Sequence, residues 1–207
     1  MTHVLHLDSS PRGDRSRSRQ LAKQFMTAWQ QQHPDDTVIY RDLRLCSIPY
    51  VTEQWIAADF TPPEARTSEM KQEIALSEKL VDEFLSVDRY VFSVPMYNFS
   101  VPASFKAYID QIVRVGRTFA VVGDGDWQGL VDSKKALFIT ARGDDFRSGM
   151  PHADWDCQEP FLRTAFNFIG IADVQFVHAN GLDSGAEARQ RGLNAARLEI
   201  QDLAMNW

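Results

Sequence analysis

Only two cysteines occur among the 207 residues, Cys46 and Cys157, and they stand far apart in the chain. They belong to no C-x-x-C pair, so the sequence argues against a disulfide scaffold and fits a reducing compartment. We interpret both as inert thiols and expect a cytoplasmic protein.

Positive charge is not in excess, since the formal net charge is −6 and the pI is near 5.3. A nucleic acid or an anionic membrane surface would meet an unfavourable average field, so neither is an expected partner. No apolar run reaches the length of a membrane span. The apolar run at residues 4–7 has no cationic segment before it, and we do not expect a signal peptide there.

Three catalytic signatures are missing: G-x-G-x-x-G, H-E-x-x-H and G-x-S-x-G. The cluster from His152 to Cys157 has no second ligand pair at metal spacing, so we interpret it as a solvated loop rather than a metal site. No catalytic acid, base or nucleophile set is assigned.

Short β-branched or aromatic runs alternate with longer amphipathic stretches, a pattern typical of βαβ units. Strands are predicted at residues 4–7, 37–40, 90–94, 136–140 and 174–177, and helices at residues 20–32, 69–85, 104–115, 160–168 and 187–203. Right-handed crossovers then predict an α/β fold with a doubly wound, five-stranded parallel sheet and helices on both faces. The length predicts a single domain over residues 1–207.

Two segments interrupt this alternation. Residues 46–67 are too irregular for a long helix and too aromatic for a free linker, so we expect them to pack on their own domain or on a partner subunit. Residues 118–130 carry three glycines among apolar side chains and predict a hairpin-like excursion.

The loop after the first strand, residues 9–18, is here called the serine loop. It joins a strand to a helix, where unpaired backbone N–H groups and the helix dipole favour an anion. Ser10, Ser16 and Ser18 can each donate a hydrogen bond to a phosphate oxygen, together with backbone N–H groups around Arg17. A monophosphate would suit this loop, although serines that merely cap the helix explain the pattern equally well.

Two further loops follow predicted strands. The tyrosine loop, residues 95–99, is stiffened by prolines and can lie along a flat aromatic ligand, or its large side chains can simply fill a core. The arginine loop, residues 141–144, offers a glycine for close approach and a cation for a carbonyl or anion, but an ordinary turn is as good an interpretation. The residues concerned are Pro95, Met96, Tyr97, Asn98, Phe99, Ala141, Arg142, Gly143 and Asp144.

Taken together, three motifs resemble the FMN-dependent NADH azoreductase and NAD(P)H quinone reductase family. They are S-S-P-R-G-x-x-S-x-S-x-x-L, the block P-M-Y-N-F-x-x-P-x-x-x-K-x-Y-x-D-x-x-x-R-x-G-x-T-F that begins at Pro95, and T-x-R-G that begins at Thr140. The second is the most specific. The likeness extends over nearly the whole chain, and it implies a flavodoxin-like fold with strand order 2-1-3-4-5.

The resemblance implies an enzyme that passes two electrons from NADH or NADPH to quinones and azo compounds by a ping-pong mechanism. It implies that Ser10, Ser16, Arg17 and Ser18 hold the FMN phosphate, that residues 95–99 line the flavin ring, and that residues 141–144 close its other side. Ala141 stands where a serine is common and Asp144 where a glycine is common, so a carboxylate near the flavin could alter its acceptor. The resemblance also implies a homodimer with sites at the interface. The alternatives are a flavin-binding electron carrier and a cofactor-free interaction module.

Overall fold

The computed structural model describes residues 1–207 and contains seven strands and seven α-helices. The strands are β1 His3–Asp8, β2 Thr37–Asp42, β3 Arg89–Pro95, β4 Phe119–Val122, β5 Asp126–Gly129, β6 Lys135–Ala141 and β7 Asp173–Ala179. The helices are α1 Arg17–Gln32, α2 Glu53–Phe60, α3 Ser68–Glu73, α4 Ala75–Leu85, α5 Ala103–Ile112, α6 Gln158–Phe168 and α7 Ala186–Asn206. Short 3-10 turns occupy Gly13–Arg15, Pro63–Ala65 and Ala153–Trp155.

Five strands form one parallel sheet in the order β2-β1-β3-β6-β7. The predicted order 2-1-3-4-5 differs in its numbering, because the chain between α5 and β6 forms two additional strands. These strands, β4 and β5, pair with each other in antiparallel fashion and lie outside the parallel sheet. The hairpin predicted at residues 118–130 is thereby confirmed.

Helices cover both faces of the sheet, as predicted. One buried cluster joins the sheet to α4, α5 and α6, and the other joins it to α1 and α7. Neighbouring residues of β3 divide between them, since Phe92 lies in the first cluster and Val91 in the second. This alternation follows from the two-residue period of a strand, and it explains why β3 is apolar on both faces. No helix combines the length and the apolar character that a membrane crossing requires.

The single helix predicted at residues 69–85 is instead two helices, α3 and α4, which meet at Ile74. Ile74 packs with Trp55 and Ala58 in a small cluster of its own. The helix α6 starts at Gln158 rather than at residue 160, because the Asp156 carboxylate accepts hydrogen bonds from the N–H groups of Gln158 and Glu159 at 2.9 and 3.1 Å.

The irregular segment at residues 46–67 contains α2 and packs on its own chain. The indole N–H of Trp55 donates to the side-chain oxygen of Gln111 on α5 at 2.9 Å, and Trp55 is buried. The same segment leaves Tyr50 and Phe60 largely exposed, at 74% and 71% of their surface. One face of the segment therefore belongs to the core, and the other presents aromatic side chains to the outside.

Candidate functional site

The carboxyl ends of β1, β3, β6 and β7 meet at one edge of the sheet, and the loops that follow them enclose a cleft of about 540 Å³. The chain leaves β1 for β2 on one side and returns to β3 on the other. This is a topological switch point, where open α/β sheets bind ligands. The cleft is lined by nine of the predicted site residues: Ser10, Ser16, Arg17, Pro95, Met96, Tyr97, Ala141, Arg142 and Gly143.

The serine loop forms the first wall of the cleft, and its hydroxyl groups are buried. Ser16 is the N-cap of α1, and its hydroxyl accepts from the N–H of Arg19 at 3.5 Å. The Ser16 and Ser18 hydroxyl oxygens lie 3.1 Å apart. Ser18 does not line the cleft itself, so its hydroxyl lies behind that of Ser16 as seen from the cleft. Ser16 can thus both cap the helix and contribute to binding an anion.

Backbone N–H groups at both ends of the serine loop remain without partners. The N–H of Ser10 makes no hydrogen bond within the chain. Ser16 has extended dihedral angles, with ψ of 127°, so the N–H groups of Arg17 and Ser18 begin the helix without a preceding carbonyl to bind. Backbone donors without a protein acceptor are available to bind a ligand, and an anion in the cleft would satisfy them.

The tyrosine loop forms the second wall. The N–H of Met96 donates to the carbonyl of Ala141 at 2.9 Å, which ties this loop to the arginine loop. Tyr97 and Ser100 then exchange two backbone hydrogen bonds of 2.9 and 3.1 Å around a tight turn. Asn98 and Phe99 occupy the tip of that turn with φ of 47° and 69°. A positive φ is uncommon for a phenylalanine, and strain of this kind clusters at ligand sites.

The turn separates the members of the tyrosine loop. Met96 and Tyr97 face the cleft, whereas Asn98 lines a neighbouring cavity beside Lys106 and Phe161. The ring of Phe99 packs edge-on against that of Trp155, with 5.6 Å between the ring centroids. The structure therefore brings the first half of the loop to the cleft and places the tip outside it.

The arginine loop forms the third wall and is fastened to the loop after β7. The N–H of Leu182 donates to the Arg142 carbonyl at 3.0 Å, and the N–H of Asp183 to the Gly143 carbonyl at 2.8 Å. A Cβ atom at Gly143 would lie 2.9 Å from a carboxylate oxygen of Asp183. A side chain at this position would therefore require the Asp183 carboxylate to move, because the two loops approach each other closely.

The guanidinium group of Arg142 is buried and already paired. Its Nε donates to the side-chain oxygen of Gln158 at 3.1 Å, and Nη1 lies 2.9 Å from the Asp156 carboxylate. Burial lowers the pKa of Arg142, against the opposing effect of the nearby carboxylates Asp156 and Glu159. Its Nη2 is buried without a partner. The guanidinium group of Arg142 is therefore bound to residues at the start of α6, although Arg142 also lines the cleft.

Asp144 is the one member of the arginine loop that does not line the cleft. Its carboxylate accepts from the N–H of Asp145 at 2.8 Å and lies 2.7 Å from Nδ1 of His152. The hydrogen bond from His152 is the main cause of its lowered pKa. Asp144 lines a separate cavity on the far side of the loop, together with His178 and Asn180.

Several lining residues were not predicted from the sequence: Arg12, Asp14, Arg15, Gln20, Leu182, Asp183 and Arg189. The loop after β7 supplies two of them. Because parallel strands end at the same edge of a sheet, the predicted strand at residues 174–177 was the available signal for this wall.

Known proteins are similar to this chain over nearly its whole length. The model of the family described as "Flavodoxin-like fold" matches residues 2–204. An FMN-dependent NADH:quinone oxidoreductase from Nostoc punctiforme is 54% identical over 207 residues and covers 100% of both chains. A protein of the same name from Azotobacter vinelandii is 39% identical over 204 residues, covering 99% of this chain and 100% of its own.

Solved structures are similar over the same length. An azoreductase from Bacillus anthracis str. Sterne superposes with a TM-score of 0.92 at 28% identity, covering 100% of both chains. An FMN-dependent NADH-azoreductase from Bacillus anthracis str. Ames Ancestor, solved in complex with FMN, gives a TM-score of 0.89 at 25% identity and covers 99% of this chain and 98% of its own. The resemblance seen in the sequence is confirmed, and the chain belongs to the family with the flavodoxin-like fold and, within it, to the FMN-dependent NADH:quinone oxidoreductases.

Proposed function

We propose that this chain is an FMN-dependent enzyme that passes two electrons from NADH or NADPH to quinones and azo compounds by a ping-pong mechanism. The observation that carries the proposal is the set of unpaired N–H groups and buried serine hydroxyls at one end of a cleft whose other walls are stiff loops. The relatives described above are named for FMN, NADH and quinone, and the structural neighbours for azo compounds.

One group of residues fits the phosphate of FMN, and another fits its ring. Ser10, Ser16, Arg17 and Ser18 would hold the phosphate, because this wall offers hydroxyl and N–H donors to an anion. Residues 95–99 and 141–144 would hold the ring. When bound, FMN supplies the chemistry by accepting a hydride from the donor and returning two electrons to the acceptor.

The protein's own part in the reaction is to bind, orient and exclude water. The backbone bond from Met96 to Ala141 fixes the spacing of two cleft walls, and the bonds from Leu182 and Asp183 fix the third. No side chain is assigned as an acid, base or nucleophile. Such a site would accelerate each half-reaction by holding the flavin and one substrate in one geometry, which makes that step effectively unimolecular.

We further propose a single domain, a cytoplasmic location and a homodimer with sites at the interface. Unpaired Cys46 and Cys157 support the location. Exposed aromatic side chains support the dimer, since Tyr50, Phe60 and Trp127 are 74%, 71% and 62% exposed. Sedimentation equilibrium should give about twice the monomer mass of 23.6 kDa. A monomer at micromolar concentration would contradict the dimer.

Steady-state kinetics test the mechanism. Initial rates with NADH varied at several fixed benzoquinone concentrations should give parallel lines in a double-reciprocal plot, because the donor product leaves before the acceptor binds. Intersecting lines would contradict the ping-pong order. Flavin binding without quinone turnover would favour an electron carrier, and failure to bind FMN at all would favour an interaction module.

A further inference from the structure

A buried arginine lies directly beneath the serine loop. Arg19, in the first turn of α1, is 8% exposed. Its Nε and Nη2 atoms donate to the backbone carbonyl of Ser10 at 2.9 and 2.6 Å. One side chain thus fixes the orientation of a peptide group nine residues earlier in the chain.

Two carboxylates hold Arg19 in this position. Its Nη1 lies 3.2 Å from the Asp8 carboxylate at the end of β1. The Asp42 carboxylate, at the end of β2, accepts from Nη1 at 2.9 Å and from Nη2 at 2.5 Å. Asp8 and Asp42 are direct register partners in the sheet, so the strands themselves place both acceptors under α1. The guanidinium therefore has little freedom to rotate.

A second arginine binds the same carboxylate beside the middle of the loop. Arg44 donates its N–H to Asp42 at 2.9 Å, and its Nη2 lies 3.4 Å from the same carboxylate. A Cβ atom on Gly13 would come within 2.8 Å of Arg44 Nη1. We call Asp8, Arg19, Asp42 and Arg44 the support cluster. Its hydrogen bonds to the serine loop are those from Arg19 to the Ser10 carbonyl, and Arg44 occupies the space into which a side chain at Gly13 would extend.

The support cluster acts by positioning the serine loop rather than by attracting an anion electrostatically. Two arginines and two aspartates give it no net charge, so its long-range attraction for an anion is small. The carbonyl of Ser10 is turned toward Arg19, while the N–H of Ser10 makes no bond within the chain. A carbonyl facing the cleft would repel an anion, and a cradle of N–H groups requires its carbonyls to point elsewhere.

We propose that Arg19 is a positioning residue that sets the anion-binding geometry of the serine loop and thereby the preference of this protein for a phosphorylated flavin. The inference rests on the proposed function, because it assumes that the FMN phosphate binds at the serine loop. It adds a residue that neither lines the cleft nor touches the ligand, and it makes the loop's shape depend on the ends of β1 and β2.

The test compares affinities for FMN and for riboflavin, which lacks the phosphate. Apoprotein is titrated with each flavin, and binding is followed by quenching of flavin fluorescence. Arg19→Lys keeps the charge but loses the planar fork that reaches Ser10 and both carboxylates. We expect its FMN affinity to fall by about tenfold or more and its riboflavin affinity by less than about twofold. Asp42→Asn removes one acceptor of Arg19 and should shift the ratio in the same direction.

Arg114→Lys is the matched control. Arg114 is also buried and multiply paired, with Asp59, Ser77 and Glu78, but it does not line the cleft. It should lower stability without changing the ratio of FMN to riboflavin affinity. Should Arg19→Lys fail to fold, Asp42→Asn decides the outcome.

Two failures are distinguishable. The role of Arg19 alone would be overturned if the ratio of FMN to riboflavin affinity were unchanged in folded Arg19→Lys and Asp42→Asn. An equal fall of that ratio in Arg114→Lys would also overturn it. Wild-type protein that binds riboflavin as tightly as FMN would overturn the phosphate site of the proposed function together with this inference.

Discussion

At the residue scale, Ser16 both caps α1 and lines the cleft. We predict that Ser16→Ala lowers the free energy of unfolding by about 1 kcal/mol through the lost cap and also weakens FMN binding by about tenfold. Thr52→Ala is a matched control, because Thr52 caps α2 by accepting from the N–H of Trp55 at 3.0 Å. Denaturant unfolding and flavin titration separate the two effects. Equal FMN affinity in Ser16→Ala and Thr52→Ala would contradict the phosphate role of Ser16.

Asn98 raises a different question, because its side chain lies outside the cleft lining and its backbone has φ of 47°. Because Tyr97 lines both the cleft and the cavity that Asn98 lines, we predict that the edge of the bound ring extends to the Asn98 amide, so Asn98→Ala should weaken FMN binding by about 1 to 3 kcal/mol. Asn98→Gly keeps a backbone that tolerates positive φ and removes only the amide. Both variants should therefore lose affinity. If Asn98→Gly binds FMN like the wild type, only the turn geometry matters and the amide contact is wrong.

At the scale of elements, a buried ion pair fastens the irregular segment at residues 46–67. Arg114, two residues after α5, is fully buried and pairs with Asp59 of α2 and Glu78 of α4. Arg114→Met should destabilise the protein by about 3 to 5 kcal/mol, because it leaves a buried carboxylate without its partner. Hydrogen exchange should show the largest loss of protection in α2. Arg117→Gln, which removes a partly exposed partner of Glu78, should cost less than about 1 kcal/mol. Equal costs for the two variants would contradict this account.

The sequence patterns predicted the existence and type of most elements, because strands buried on both faces and amphipathic helices have distinct periods. Boundaries moved where side chains cap helices, as Ser16 does for α1 and Asp156 for α6. The break at Ile74 could not be predicted, since it follows packing against Trp55, which lies far away in the chain.

The candidate site was likewise predictable from the sequence only in part. Loops that follow strands could be located from the sequence, and nine of their predicted residues line the cleft. The position of Arg19 could not, because its acceptors come from β1, β2 and the Ser10 carbonyl and meet only in the folded chain. The direction of the Arg142 and Asp144 side chains was equally hidden, since their partners Asp156 and His152 lie in a loop without a repeating pattern.

For the whole molecule, the buried carboxylate of Asp8 links stability to pH. Burial alone would raise its pKa, but the His6 ring, 3.4 Å away, and hydrogen bonds from Ser93 and Tyr40 lower it from 3.8 to about 2. The folded state therefore binds this proton less readily than the unfolded state does. The resulting stabilisation is complete above the unfolded pKa and is lost as pH falls through the folded value. It amounts to about 2 kcal/mol.

Urea unfolding from pH 6 down to about 2 should therefore show a decline in wild-type stability to which Asp8 contributes. Asp8→Asn should be less stable at neutral pH and should show a shallower decline. An identical pH dependence in the variant and the wild type would contradict the lowered pKa of Asp8.

The order of the strands explains how distant loops form one site, since β1 and β3 are neighbours at the point where the chain changes direction across the sheet. We propose that this site holds FMN and passes electrons from NADH to a quinone. The most direct test is the visible absorption spectrum of FMN-reconstituted protein, recorded before and after anaerobic NADH and again after benzoquinone. We predict flavin bands that bleach with NADH and return with the quinone. Absence of flavin bands after reconstitution, or bands that NADH does not bleach, would contradict the account.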